Sequence, residues 1–445
     1  MKRGGCMATA MTGALAACLT AHGLAARAAQ AVKHGPTGHQ SVEQIPNPAA
    51  DLHAQAQAAL DKKDYASAAK LFERYLSDAP GDAIGHFQLG YAYTALQRWG
   101  KAEAQYRLAI QLNPKLAPAQ LNLGLILLRH DPAAAVGPLQ QAVALEPNQA
   151  QPHLLLGLAL ERSGNPAEAV PQYRASARLD DGNFDAHFEL AHVMLSLHQP
   201  AGAEPEFRRA LAIQPHSADA LAGLAGALLE EGKTAEAAEE LKKYLEERPG
   251  DENARLQLAG VLEKSARLDD ALAQLALIHT PGPNALAADR QQGEILLQQK
   301  KYSSAVAPLR AALALAPGDA MLHAGLGHAL LDQKDYAAAT QELEQAVQLD
   351  PKAVSAWSDL TVARYRRGQW EAALAALNHV EQAEPLTSIA WYVRAVCNDH
   401  LGRLAQAIAA YKAFLDTDGG KHGTDAYMAR HRLPVLEDLL RHQRK

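Results

Sequence analysis

The sequence predicts an all-α solenoid, in which helix pairs of equal length stack side by side and one further helix closes the array. Ala and Leu are abundant, and aromatic residues make up only 5% of the 445 residues, which favours helices over sheets. Turn-forming residues also recur every 34 residues, with one step of 33, a period that is typical of solenoids. These residues are Pro80, Pro114, Pro147, Asp181, Pro215, Pro249, Pro283, Pro317, Pro351, Pro385 and Gly419.

A second pattern has the same period and no exceptions, because one position of every unit is an alanine. These alanines are Ala68, Ala102, Ala135, Ala169, Ala203, Ala237, Ala271, Ala305, Ala339, Ala373 and Ala407. Four residues later each unit has a large apolar residue, on the same face of a helix. We expect two helices to cross closely at each alanine, since a larger side chain would push them apart.

Residues 83–116 show how one unit is built. They contain two short amphipathic segments, separated by a break at Gly100 and closed by Pro114. The apolar face of the first segment has Leu89, Gly90 and Tyr93, and that of the second has Ala102, Tyr106 and Ala109. A single pair of this size cannot bury enough surface to fold alone, so we expect neighbouring pairs to share a continuous core.

The N-terminal residues have the composition of an export signal. Lys2 and Arg3 precede a run of small and apolar residues, and no acidic residue occurs before Glu43. Cleavage by ordinary signal peptidase fits the small-x-small sites that end at Ala28 and Ala31. Residues 15–18, Leu-Ala-Ala-Cys, instead fit a bacterial lipobox, which would make Cys18 a lipidated N-terminus. The apolar run continues past Cys18, which favours ordinary cleavage and a soluble product.

The predicted organisation is therefore a signal peptide at 1–31, a flexible linker at 32–48, an array of eleven repeats at 49–421 and a C-terminal capping helix at 422–445.

The net charge of −6 argues against a general nucleic-acid binder, because no basic excess exists to neutralise phosphates. Three cysteines occur, and ordinary cleavage would leave only Cys397, so we expect no intramolecular disulfide.

The repeat pattern resembles the tetratricopeptide repeat family. That family has a large residue, Leu-Gly, Tyr, Ala, an aromatic residue, Ala and Pro at fixed offsets, and residues 83–116 and 184–217 match it well. The resemblance implies a right-handed superhelix of antiparallel helix pairs, in which the first helix of each pair lines a concave groove.

Several departures from the pattern predict local changes. The missing residue of repeat 117–149 is expected in the turn at residues 130–132. Prolines inside four second helices predict that these helices start late or bend. Pro434 is expected to start or kink the capping helix, which we expect to place Leu436, Leu439 and Leu440 inward and charged residues outward.

No motif for enzymatic chemistry occurs in the sequence, which has no GK[ST] loop, HExxH, GxSxG or paired CxxC. We therefore predict neither enzymatic activity nor a cofactor. His86, His153, His187 and His323 share one repeat position, where the family often has Trp, and are interpreted as half-buried packing residues instead of metal ligands. Cys397 beside His400 is a weak candidate nucleophile, since no third group accompanies it.

The candidate binding residues come from the resemblance, which places certain positions of the first helices in the groove. They are Phe87, Tyr91, Leu121, Leu125, Leu128, Phe188, His192 and Leu195. If these side chains are accessible they form an apolar strip, of the kind that takes an amphipathic helix or an extended peptide. The alternative is that they pack against their own or neighbouring repeats.

We therefore predict a non-enzymatic interaction scaffold of the bacterial cell envelope, exported to the periplasm or held there by a lipid, that binds a protein or peptide partner. The alternative is an accessory subunit for envelope polysaccharide. In that case aromatic rings would stack on sugars, and the candidates are Tyr91, Trp357, Tyr365, Trp391 and Tyr392.

Overall fold

The computed structural model describes residues 48–443, which form 23 α-helices and no strand. The predicted signal peptide, most of the linker and Cys18 lie outside the described residues. The described chain divides into two compact units, with the boundary after Glu247. The predicted all-α array of eleven helix pairs and one last helix is confirmed.

Unit 1 contains six helix pairs, in each of which a first helix is joined to a second helix by a short turn. Its helices are α1 (Pro48–Asp61), α2 (Tyr65–Asp78), α3 (Ala83–Ala95), α4 (Trp99–Leu112), α5 (Ala117–Leu127), α6 (Pro132–Leu145), α7 (Ala150–Arg162), α8 (Pro166–Leu179), α9 (Phe184–Ser196), α10 (Pro200–Ile213), α11 (Ala218–Glu230) and α12 (Thr234–Glu247).

Unit 2 contains five further pairs and the last helix. Its helices are α13 (Glu252–Lys264), α14 (Leu268–Leu275), α15 (Pro283–Gln298), α16 (Tyr302–Leu315), α17 (Ala320–Asp332), α18 (Tyr336–Leu349), α19 (Val354–Arg366), α20 (Trp370–Ala383), α21 (Ser388–His400), α22 (Leu404–Thr417) and α23 (Gly423–Gln443).

The alanine register predicted from the sequence forms the centre of every pair. All eleven alanines have no exposed surface, and the large apolar residue four positions later is at most 4% exposed in every repeat. In five repeats a glycine of the first helix lies directly over that large side chain. A Cβ on Gly124 would lie 2.4 Å from Leu139 Cγ, and one on Gly157 would lie 2.6 Å from the Tyr173 ring. The pairs are therefore packed to contact distance, as their small residues predicted.

In the turn between the two helices of a pair, the residue at one fixed position has a positive φ, that is, a left-handed backbone conformation. Four of the ten turns that have it use glycine: Gly164, Gly232, Gly368 and Gly402. The other six use Lys63, Gln97, His198, Ala266, Lys300 and Lys334, whose φ angles lie between 55° and 63°. The shortened repeat 117–149 has no positive φ in its turn, so the missing residue is the left-handed one.

The prolines inside second helices do not delay those helices, contrary to our expectation of a late start. The helices that contain Pro138, Pro171, Pro205 and Pro308 begin in the same register as the others. In each case the residue four positions earlier, whose carbonyl loses its helical partner, is exposed. Water can therefore satisfy that carbonyl, which lowers the cost of the proline.

Repeat 252–285 departs from the others in a way that the period did not predict. Its second helix, α14, ends at Leu275 after 8 residues, whereas the other second helices of the array have 14. Pro281, Gly282 and Pro283 follow in succession, and Gly282 has a φ of 152°. The Glu252 side chain accepts a hydrogen bond from the Thr280 backbone N–H at 3.2 Å, which ties this connection to the start of α13.

The last helix, α23, differs from its predicted form in two respects. Pro434 lies within the helix and does not start it. Leu436 is fully buried and Leu440 packs against the same cluster, but Leu439 is 46% exposed and faces away from the array. The inner face is completed by Ala426 and Ala429, two small residues that the pattern of large apolar residues did not reveal.

Candidate partner-binding face

The first helices line the inner side of each unit. In unit 1, α5 contacts α7 and α9 contacts α11, and in unit 2 every successive first helix from α13 to α21 contacts the next. Among the helices that the structure describes, no two successive second helices of a unit approach each other as closely, so the first helices lie on the inner side. We call the surface formed by the first helices of a unit its inner face.

Half of the predicted apolar strip is buried. Phe87, Leu125, Leu128 and Phe188 are at most 9% exposed and belong to the core of unit 1. The Phe188 ring packs between the rings of Phe184 and Phe207, at centroid distances of 5.5 and 6.0 Å. These four side chains serve the core of the array, and the expectation that they form an accessible strip is corrected.

The other four predicted residues remain accessible on the inner face of unit 1. Tyr91, Leu121 and Leu195 are half-buried and pack against the core from outside, whereas the side chain of His192 is 52% exposed. Leu121 lies on α5, and His192 and Leu195 lie one turn apart on α9. The structure therefore reduces the predicted continuous strip to separate apolar side chains on three first helices, α3, α5 and α9.

Beside His192 lies an acidic group that sequence reasoning did not single out. We call Glu161, Asp185 and Glu189 the inner carboxylates. Burial, with the nearby Glu161 charge, raises the pKa of Glu189 to about 7. Burial also raises the pKa of Asp185. The sequence signal was available, since these residues occupy groove-side positions of two successive first helices.

Glu161 behaves differently from the other two carboxylates because it has hydrogen-bond donors. Burial acts to raise its pKa, but the His192 ring and the Tyr173 hydroxyl together hold the pKa below the ordinary value. The Tyr173 hydroxyl donates to Glu161 Oε2 at 2.8 Å, and His192 Nδ1 lies 3.7 Å from Glu161 Oε1. Glu161 therefore stays charged, and its charge adds to the effect of burial in disfavouring ionisation of Glu189.

The inner face of unit 2 is polar, and its side chains are paired across successive repeats. Gln291 Nε2 donates to Glu263 at 2.6 Å, and Arg290 lies 2.5 Å from Asp319. His328 Nδ1 lies 2.8 Å from Asp359, and this hydrogen bond raises the pKa of His328. The inner face of unit 2 therefore presents paired polar groups, whereas that of unit 1 presents accessible apolar side chains.

Three of the four histidines at the shared repeat position connect one repeat to the next. His86, His153 and His323 each place Nε2 3.0 to 3.1 Å from the carbonyl of the proline that ends the preceding repeat. Trp357 donates to Pro351 in the same way at 2.9 Å, and Arg255 donates to Pro249 at 2.6 Å. The packing role interpreted from the sequence thus includes a hydrogen bond between repeats.

The sequence raised two chemical possibilities, a metal site and a cysteine nucleophile. Within residues 48–443, no group of three or more His, Cys, Asp or Glu side chains is placed so that it could hold a metal ion. Cys397 is fully buried, and burial raises the pKa of its thiol to about 12, so the reactive thiolate is strongly disfavoured.

The aromatic rings that a sugar-binding surface would require are largely engaged within the protein. Trp357 stacks on His379 at 4.0 Å, and Tyr365 packs edge-on against Trp370. Tyr392 packs against Tyr411 and Phe414, and the Arg394 guanidinium lies over the Trp391 ring.

Comparison with known families agrees with the repeat geometry. Two models described as tetratricopeptide repeat match the chain, one at residues 53–117, 121–184 and 188–252 and the other at 228–289 and 330–397. Together they cover about two thirds of its length. The chain belongs to the tetratricopeptide repeat family. Such repeats generally mediate protein–protein interactions and typically form non-enzymatic scaffolds.

The solved structures to which the chain is similar include a TPR protein, YrrB, and MamA proteins. YrrB, described as a TPR protein with an unusual peptide-binding site, is 19% identical, with a TM-score of 0.40, and the match covers 42% of this chain and 96% of YrrB. The MamA protein is 21% identical, with a TM-score of 0.36 and coverage of 38% and 92%. MamA from residue 41 onward, from Desulfovibrio magneticus RS-1, is 19% identical, with a TM-score of 0.37 and coverage of 39% and 98%.

No curated protein matches the chain in sequence. Among the described helices, none combines the length and the apolar character that are needed to cross a bilayer.

Proposed function

We propose that this tetratricopeptide repeat protein is an exported scaffold of the bacterial cell envelope that holds a peptide or helix of a partner protein against the inner face of unit 1. The observation that carries the proposal is the set of accessible apolar side chains on three first helices of that face. Tyr91, Leu121 and Leu195 are half-buried, so each retains apolar surface that a partner can cover.

The spacing of these side chains suits a bound segment and not a small molecule. They lie on α3, α5 and α9, so a ligand that covers all three must pass across several repeats. An amphipathic helix or an extended peptide meets this requirement, with its own apolar side chains placed against α3, α5 and α9. The inner carboxylates and His192 border this surface and supply its polar rim.

Photo-crosslinking at the inner face tests the proposed binding site. We expect a photoreactive residue in place of Leu121 or Leu195 to crosslink one and the same envelope protein in living cells. Leu179, at the end of second helix α8, is a matched control because it is 42% exposed and lies on a second helix. We expect no crosslink to that protein from position 179.

Affinity measurements with the captured partner complete the test. The double variant Leu121→Asp, Leu195→Asp should weaken binding by about tenfold or more, since two apolar contacts are replaced by desolvated charges. Leu179→Asp should leave the affinity unchanged. Equal capture from positions 121 and 179, or an unchanged affinity in the double variant, would overturn the proposal.

Export is supported by Lys2 and Arg3 followed by the small and apolar run of the N-terminal region. We expect the protein isolated from the envelope to begin just after Ala28 or Ala31, as shown by intact mass and N-terminal sequencing. A chain that begins at a lipid-modified Cys18 would establish the anchored form instead. An unprocessed chain recovered from the cytoplasm would contradict export by either route.

A further inference from the structure

The last helix, α23, has apolar residues on two opposite faces. One face packs against the array through Ala426, Ala429, Leu433, Leu436 and Leu440. The opposite face exposes Tyr427 by 61%, Met428 by 55%, Val435 by 47% and Leu439 by 46%. A helix that only caps a solenoid needs a polar outer face, so this second apolar face requires an explanation.

Such a concentration of exposed apolar residues occurs only on α23 within residues 48–443. The other exposed large apolar residues are distributed at one or two per helix. In α1, the first described helix, the exposed residues are Ala50, Asp51, Ala54, Gln55, Ala58 and Asp61, with no large apolar side chain among them. Within residues 48–443, the exposed apolar face is therefore a property of α23.

We call Tyr427, Met428, His431, Val435 and Leu439 the outer stripe. Steps of three or four residues along most of the stripe place these side chains on one side of the helix over about 18 Å. We propose that the outer stripe of α23 docks antiparallel on the outer stripe of a second copy of this chain, which makes the protein a dimer joined at its C-terminal helices.

The stripe is complementary to itself when the two helices run in opposite directions. A two-fold axis between Pro434 and Val435 brings the two Val435 side chains together. It also places Met428 of each copy next to Leu439 of the other, so the large side chains interdigitate along the contact. A symmetric contact of this kind uses the same patch on both copies and closes at two subunits.

Polar residues at the edge of the stripe fit the same arrangement. His431 and Asp438 are both exposed, and the same axis places His431 of each copy beside Asp438 of the other. Within one chain Asp438 lies 3.5 Å from Arg441 and 3.6 Å from His442, and exposed ion pairs of this type contribute little and exchange readily. The pairing of His431 with Asp438 therefore favours the antiparallel orientation.

The size of the contact sets the expected affinity. One helical face per subunit is a small interface, so we expect dissociation constants in the micromolar range and not an obligate dimer. A dimer of this protein would carry two copies of the inner face of each unit.

Sedimentation equilibrium of the full chain over a range of concentrations tests the dimer. The wild-type protein should reach twice the monomer mass by about 100 µM. Leu439→Glu and Val435→Glu should remain monomeric, because each places carboxylates against the second copy. Leu349→Glu is the matched control, since Leu349 is 45% exposed on α18, and it should dimerise as the wild type does.

A charge exchange tests the orientation of the helices. Asp438→Lys should weaken dimerisation by about tenfold, and addition of His431→Glu should restore it, because the lysine and the glutamate of the exchanged pair carry opposite charges. A wild-type chain that stays monomeric throughout overturns the proposal, as does a dimer that survives both glutamate variants. Monomers that bind anionic lipid vesicles through the outer stripe would assign this surface to a membrane, against our proposal. None of these results depends on the partner of the inner face.

Discussion

Replacement of Gly124 by alanine is expected to destabilise repeat 117–149 by about 1 kcal/mol. The new Cβ would lie 2.4 Å from Leu139 Cγ, and Leu139 is fully buried beneath α5. Overpacking of a close contact costs about 1–3 kcal/mol, which exceeds the gain of about 1 kcal/mol from the better helix propensity of alanine.

Gly137 provides a control in the same repeat with the opposite expected sign. It lies on the exposed side of α6, and no atom lies within 4 Å of the position that a Cβ would occupy. Gly137→Ala should therefore stabilise the repeat by about 0.5–1 kcal/mol through helix propensity alone.

Amide hydrogen exchange of α5 and α6 is the appropriate measurement, because solenoids unfold by repeats and a single global transition is not assured. Leu139→Ala should cost less in the Gly124→Ala background than in the wild type, since the smaller side chain relieves the clash. Equal protection in the Gly124 and Gly137 variants would mean that the two helices are not in contact at this crossing.

Replacement of Glu189 by glutamine is expected to change how stability depends on pH. The pKa of Glu189 rises from its ordinary 4.5 in the unfolded chain to about 7 in the folded protein, because of burial and the adjacent Glu161. The folded state therefore binds this proton more tightly. The stabilisation is complete below pH 4.5 and is lost as pH rises through about 7.

The size of the effect follows from the shift in pKa. It corresponds to at most about 3 kcal/mol, since each unit of pKa is worth about 1.4 kcal/mol. Glu189→Gln resembles the protonated form, so it should be more stable than the wild type at about pH 8 and nearly equal to it below about pH 4.5.

Urea unfolding at the two pH values measures this difference, with hydrogen exchange of α9 as the local readout. Glu168→Gln is the control, because it removes the same charge from an exposed position on α8 and should change little at either pH. A stability gain for Glu189→Gln that is the same at both pH values would show that its cause is not the ionisation of this carboxyl group.

The sequence by itself determined the repeating part of the fold. The alanines and the large apolar residues four positions later lie at the centre of every pair, because helix periodicity and close packing act within about 34 residues. The position of the missing residue in repeat 117–149 was also predictable, since the turn is local. Pro281, Gly282 and Pro283 also indicate locally that α14 is short, but Pro283 fits the regular period, so the shortening was not predicted.

Only the tertiary structure decided which apolar residues remain accessible. Phe188 and Leu195 are both apolar groove-side residues of α9, yet Phe188 is buried between two rings and Leu195 is not. The exposed Leu439 and the buried Leu436 are likewise equivalent by residue type. The pKa of Glu189 depends on Glu161, a residue of the preceding repeat. Burial and charge are sums over neighbours from several helices, so they cannot be obtained from the periodicity of one helix.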